Sequence, residues 1–209
     1  LKDYTGFDIL MGQQFSLKKV NGTVENLIKV IIFDLDGTLV DLKVDWKSLK
    51  NKLENTFQKE FQPLHEGIRK LGNLEKEKAF EIIRNYELEN LEKWEINLFF
   101  INWIIQNSNK KIICILSNNT KSTIEKFLVK TNLTNYVSYY ITLDDVNKAK
   151  PNDEGFNKII NHFDLELNEV ILIGDSTSDE IIAKKNKIKF LFSNQLEIKN
   201  FNKIINDFE

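Results

Sequence analysis

Five short apolar runs punctuate this chain: KVIIFD at 29–34, KIICIL at 111–116, SYYITL at 138–143, VILIGD at 170–175 and IKFLF at 188–192. Each is bounded by polar turn residues, and the segments between them carry helical spacing. The runs are continuous rather than alternating, so strands formed from them must be covered on both faces. That pattern predicts an α/β architecture, a doubly wound parallel sheet between layers of helices. A chain of 209 residues with 42% hydrophobic and 11% aromatic content can bury such a core.

One gap breaks the rhythm. Residues 35–110 separate the first run from the second, far more than a single crossover helix requires. Inside the gap, WKSLKNKLENTF places apolar residues at 46, 49, 53 and 57, and KAFEIIRNYELENLEKW repeats a helical spacing. The expectation is a small α-helical cap over 42–95, inserted into a core built from 28–41 and 96–209. Trp46, Phe57, Phe80, Tyr86 and Trp94 are expected to form the cap's own core. Residues 1–27 are mixed and polar, broken by Gly6, Gly12 and Gly22, and read as an N-terminal extension with a short extended or hairpin segment. Towards the other end, 179–185 reads as a helix with Asn186 as its left-handed cap.

Charge excludes several kinds of partner. The net charge is only −2 and the basic residues are scattered among acidic ones, so there is no footprint for nucleic acid and no polybasic membrane patch. The stretch INLFFINWII at 96–105 contains two asparagines, and it falls short of the roughly 20 apolar residues of a membrane span. The single cysteine, Cys114, lies in an apolar run and reads as a buried small hydrophobe. With no secretory signal pattern, the expectation is a soluble cytoplasmic protein. His65 and His162 have no partner pattern and read as helix-surface or core residues.

In a doubly wound sheet the ligand crevice lies beyond the carboxyl ends of the strands. Asp34 and Asp36 follow the first run, Ser117 and Asn118 the second, and Gly174 and Asp175 close the fourth, with Asp179 further on. Lys150 lies in the loop past the third. Several carboxylates with one lysine and one hydroxyl suit a hard divalent cation beside a phosphoryl group. Read singly, each has a bland alternative: Asp34 and Asp36 a turn capping its own backbone, Asp175 and Asp179 a turn and an N-cap, Ser117 a strand-end hydroxyl.

Four motifs in order, FDLDGTLV at 33–40, ILSNN at 115–119, AKPNDEGF at 149–156 and LIGDSTSD at 172–179, carry a resemblance. Over about 29–192 the chain resembles the haloacid dehalogenase superfamily, in its Mg²⁺-dependent, phosphoglycolate-phosphatase-like branch with a helical C1-type cap after the first motif. Asp153 departs from the pattern, standing where a second proline is common. The resemblance implies a Mg²⁺-dependent phosphomonoester hydrolase for a small phosphorylated metabolite, phosphoglycolate or a sugar phosphate. It implies Asp34 as nucleophile and metal ligand, and Asp36 as acid and base with its backbone carbonyl on the metal. Asp175 would be a direct metal ligand and Asp179 an indirect one. Ser117, the Asn118 amide and Lys150 would hold the phosphoryl oxygens, Gly37 would let the backbone approach the phosphate, and Thr38 would fasten the loop. Lys150 is preferred to Lys148 because proline follows it directly and Phe156 comes six residues on, as the family pattern leads one to expect.

The two arginines, Arg69 and Arg84, both fall in the inserted segment, where a planar guanidinium suits a substrate carboxylate or second phosphate; a solvated or salt-bridged helix position is the plainer alternative. A phosphomutase shares these motifs, and a catalytically inactive binding or regulatory module could keep the scaffold. A dehalogenase is disfavoured by Asp36. A monomer or homodimer is expected.

Overall fold

The computed structural model describes residues 28–195, together with Phe201 and Ile205. The expected segment within 1–27 lies outside the described residues. Five parallel strands form the main sheet: β1 (Val30–Phe33), β4 (Ile112–Leu116), β5 (Tyr139–Ile141), β6 (Val170–Gly174) and β7 (Lys189–Phe192). Their order is β5-β4-β1-β6-β7, so the expected α/β sheet is present and β1 is its centre.

The continuous apolar runs follow from two-sided burial. In β1, Ile31 and Phe33 face one apolar cluster while Val30 and Ile32 face the other. The first cluster is closed by Phe100 and Trp103 of α4 (Leu98–Asn107) and by Ile124 and Phe127 of α5 (Lys121–Lys130). The second is closed by Phe156 and Ile159 of α6 (Glu154–Phe163) and by Ile182 and Ala183 of α7 (Thr177–Asn186). Cys114 is buried in this second cluster. Each fully buried Ile or Phe contributes about 1.5–3 kcal/mol relative to exposure, which holds the sheet between the two helix layers.

Register aligns the strand ends. Phe33 is level with Ile115 of β4 and with Ile173 of β6. The residues just beyond, Asp34, Ser117 and Asp175, therefore leave the sheet along one edge.

Between β1 and β4 the chain leaves the sheet through β2 (Val40–Asp41) and returns through β3 (Glu95–Ile96), which pair antiparallel with Val40 opposite Ile96. Three helices lie between them: α1 (Trp46–Phe57), α2 (Leu64–Arg69) and α3 (Asn73–Glu89). Asp45 starts α1 by accepting from Ser48 N at 2.9 Å. The helices pack through Leu49, Leu53, Ile68, Ala79 and Ile83, and the same cluster includes Leu143 and Ala149 from the loop after β5. The inserted helices thus rest on the loop that leads to Lys150.

Three expectations need correction. Trp46 is 41% exposed at the first position of α1, although it shares the helix stripe of Leu49 and Leu53. Trp94 packs in the main core with Leu39 and Phe100, since it directly precedes the returning strand β3. The left-handed residue ending α7 is Lys187, not Asn186; Asn186 stays helical and its Nδ2 donates to Ile182 O at 2.9 Å. His162 lies on the surface, stacked on the Tyr139 ring at 4.1 Å. Among the described residues no helix is long and apolar enough to cross a membrane.

Candidate active site

Asp34 continues β1 by one residue: its N–H donates to Ile173 O at 2.8 Å, which fixes the backbone against β6 and leaves the side chain at the sheet's carboxyl edge. Lys150 meets it there. Its Nζ lies 2.7 Å from Asp34 Oδ1 and 2.6 Å from Asp179 Oδ1, with all three residues buried. Lys148, the other lysine of the motif, is exposed.

Asp34, Asp175 and Asp179 each offer an oxygen within 4.8 Å of the others. Two glycines make this convergence possible. A Cβ on Gly37 would sit 2.1 Å from Asp175 Oδ2, and Gly37 also has φ +78°, a conformation side chains resist. A Cβ on Gly174 would sit 2.5 Å from the Asp179 carboxylate. Asp179 also serves its own helix, since its Oδ2 accepts from Ser176 Oγ at 2.6 Å in a capping box at the start of α7. Its two oxygens are therefore divided between holding the helix end and holding Lys150.

The electrostatics follow from crowding. Burial pushes the Asp34 carboxyl up to about 7, Lys150 opposes that and Asp179 adds to it. Asp36 and Asp175 are also raised, each mainly by burial. Burial works against the Lys150 charge, yet Asp34 and Asp179 outweigh it and hold the ammonium above the ordinary lysine range. Three carboxyls around one lysine leave an excess of negative charge that a divalent cation would neutralise. The donors are all carboxylate oxygens, hard ligands that fit Mg²⁺.

The other expected residues have defined partners. Asp36 is half-buried and stands apart from the three-carboxylate cluster, its Oδ1 accepting from Leu42 N at 2.9 Å. Thr38 is buried; its carbonyl accepts from Asn97 Nδ2 at 3.1 Å and its Oγ1 donates to Ser193 Oγ at 3.4 Å, which ties the loop after β1 to α4 and to the end of β7. Ser117 Oγ donates to Asn119 Oδ1 at 2.7 Å. The Asn118 side chain clasps the backbone of Lys150, Nδ2 donating to its carbonyl at 3.0 Å and Oδ1 accepting from its N–H at 2.9 Å. It positions the lysine rather than pointing at a ligand.

Arg69 is held by Glu66 three residues before it, at 2.8 Å on the surface. Arg84 is half-buried on α3, and neither arginine shares a hydrogen bond or ion pair with the site residues just described. A residue absent from the sequence reading stands nearer: Glu87 of α3, buried and bonded to Asn119. One signal marks it, for it continues the buried Ala79 and Ile83 at steps of four, a carboxylate on the apolar stripe of a helix.

The chain is similar to several known proteins. Pyrophosphatase PpaX of Bacillus mycoides is 22% identical over 165 residues, covering 73% of this chain and 77% of its own. A Lactobacillus plantarum protein provisionally named a phosphoglycolate phosphatase superposes with TM-score 0.62 at 18% identity, over 80% of this chain and 86% of that one. A Bacillus subtilis hydrolase of the same superfamily, YfnB, also provisionally named and solved with bound magnesium, superposes with TM-score 0.56 at 15% identity, over 86% of this chain and 99% of that one. The family model described as haloacid dehalogenase-like hydrolase matches residues 31–193, and the chain belongs to that family.

Proposed function

We propose that this protein is a Mg²⁺-dependent phosphatase that hydrolyses a small phosphorylated metabolite through an aspartyl-phosphate on Asp34. The observation that carries the reading is the meeting of Asp34, Asp175 and Asp179 within 4.8 Å, with the Lys150 ammonium on Asp34. Asp34 and Asp175 would hold the cation with the Asp36 carbonyl, Asp179 would assist indirectly, and the bound ion would supply charge neutralisation for the phosphoryl oxygens.

The residues divide the work. An Asp34 oxygen attacks phosphorus, forming the O–P bond as the bond to the leaving oxygen breaks, and Asp36 gives that oxygen its proton. A water then attacks the same phosphorus and loses a proton to Asp36, the Asp34–P bond breaks, and inorganic phosphate leaves. Asp36 suits both halves because burial holds its carboxyl above the ordinary aspartate range, so it can carry a proton nearer neutrality. Lys150 neutralises the charge gathering beside Asp34, and Ser117 and the backbone N–H of Asn118 receive phosphoryl oxygens.

Phosphoglycolate and sugar phosphates are the first candidate substrates, and the relatives' names add pyrophosphate. The test is phosphate release from an aryl phosphate and from these compounds, with Mg²⁺ and with EDTA. Metal-dependent turnover that Asp34→Asn abolishes is expected; no metal-dependent turnover on any of them would overturn the reading and favour a binding module.

A further inference from the structure

Glu87 joins the inserted helices to the site. It is 0% exposed, and its Oε1 accepts from Asn119 Nδ2 at 2.8 Å. Its Oε2 accepts from Thr120 N at 3.0 Å and from the hydroxyls of Thr120 and Thr123, both at 2.6 Å. Thr120 is the N-cap of α5, yet its own side chain makes no capping bond. The Glu87 carboxylate of α3 instead takes the N–H of this N-cap residue and the hydroxyls beside it, at a helix start that favours a negative group.

The polarity of the network runs onward to the site. A backbone N–H can only donate, so Glu87 Oε2 must accept at Thr120. Oε1 then takes the amide nitrogen of Asn119, which turns Asn119 Oδ1 towards Ser117. Ser117 Oγ accepts from Asn119 N at 3.2 Å and gives its proton to Asn119 Oδ1 at 2.7 Å. The serine oxygen is thereby held by two bonds, and its proton is committed to Asn119.

We propose that Glu87 is a positioning residue of this site: through Asn119 it sets the direction of the Ser117 hydroxyl, so that docking of α3 against α5 tunes phosphoryl binding. The proposal rests on the reading of Ser117 as a phosphoryl ligand given above. With Glu87 in place, a phosphoryl oxygen must draw the Ser117 proton away from Asn119.

Substitution by glutamine inverts the chain. In Glu87→Gln the new side chain must keep its oxygen on Thr120 N, which puts its amide nitrogen against Asn119 and turns the asparagine side chain over. Ser117 then accepts from both nitrogens of Asn119 and its proton is free for phosphate. Calorimetry with inorganic phosphate and Mg²⁺ reads this without requiring turnover. Glu87→Gln is expected to tighten phosphate roughly three- to tenfold, the worth of one hydrogen bond. Glu87→Ala, which leaves Asn119 untethered, is expected to weaken it by a similar factor.

Both effects should vanish in a Ser117→Ala background, whereas the mere loss of a negative charge near an anion would persist there. The double variant Glu87→Gln/Asn119→Asp restores the original polarity and should return phosphate affinity to within about twofold of wild type. Effects of Glu87→Gln and Glu87→Ala in the same direction, or unchanged by Ser117→Ala, overturn the proposal, and so does a wild type that binds no phosphate. Expected binding with no turnover on any substrate would leave this inference standing and remove the phosphatase reading; turnover with additive Glu87 and Ser117 effects would do the reverse.

Discussion

Two carboxylates are buried beside the end of β4, and they are satisfied in opposite ways. Asp34 meets a full positive charge, the Lys150 ammonium at 2.7 Å, and two further carboxylates within 4.8 Å. Glu87 meets amide, backbone and hydroxyl donors. The first arrangement is electrostatically incomplete, since one lysine serves several acids and burial raises the Asp34 carboxyl to about 7. The second is complete in its hydrogen bonds, every contact being a donor to one acceptor group, and these bonds oppose the burial that raises the Glu87 carboxyl as well. Incomplete charge balance is what a site for a cation and a phosphoryl group requires, while complete hydrogen bonding is what a fixed joint between two parts of a protein requires.

Substitution should separate the two by which measurement moves. Asp34→Asn is expected to lower turnover by at least about a thousandfold, because no second group can form the acyl-phosphate, while the melting temperature holds or rises as one of the crowded charges is removed. A melting temperature that falls sharply with activity would mean that Asp34 is a structural partner of Lys150 first. Glu87→Ala should behave in reverse. It strands the Asn119 amide, the Thr120 N–H and two hydroxyls in a buried setting, and denaturant titration should show a loss of about 2–4 kcal/mol. A loss below about 0.5 kcal/mol would show that water or a rearranged Asn119 satisfies those groups without the carboxylate.

The pH dependence sharpens the contrast for the protein without metal. The Asp34 carboxyl is raised in the folded state, so the folded protein holds its proton more tightly than the unfolded chain does. That contribution is greatest below the unfolded value near 3.8 and is lost as pH rises through about 7. Thermal melts in EDTA are therefore expected to fall across this window. Mg²⁺ should flatten the fall by binding the deprotonated site, and the Asp34→Asn variant should show a shallower slope in EDTA. A metal-free stability that climbs over the same window would contradict the sign.

The same contrast explains what could be read before the structure. The sheet was legible because burial on both faces forces continuous apolar strands, and five such runs leave little choice of architecture. Asp34, Ser117 and Asp175 were legible as a group because each follows a run whose end the register aligns. Glu87 was not, since its partners Asn119, Thr120 and Thr123 lie more than thirty positions away and a helical glutamate reads as a solvent-facing residue by default. Trp94 was assigned to the wrong cluster for a related reason: periodicity shows that a residue is buried but not against which body. Asn118 was legible as a site residue, whereas the use of its side chain, clasping the Lys150 backbone, depends on a loop conformation that spacing does not encode.

The smallest expected effect concerns the arginines. Arg69 and Glu66 form an exposed pair at 2.8 Å on α2, the arrangement that contributes least to stability and least to a distant site. Arg69→Ala should leave kcat and KM unchanged on every accepted substrate and shift the melting temperature by no more than about 1 °C. Arg84 differs, being half-buried on α3, three residues before Glu87 and so on a neighbouring part of the helix surface. If the face of α3 that carries Glu87 also meets the substrate, Arg84→Ala should raise KM for phosphoglycolate, which bears a carboxylate, more than for an aryl phosphate, which does not. Equal KM values for both compounds in Arg84→Ala and wild type would confine the role of α3 to the joint made by Glu87.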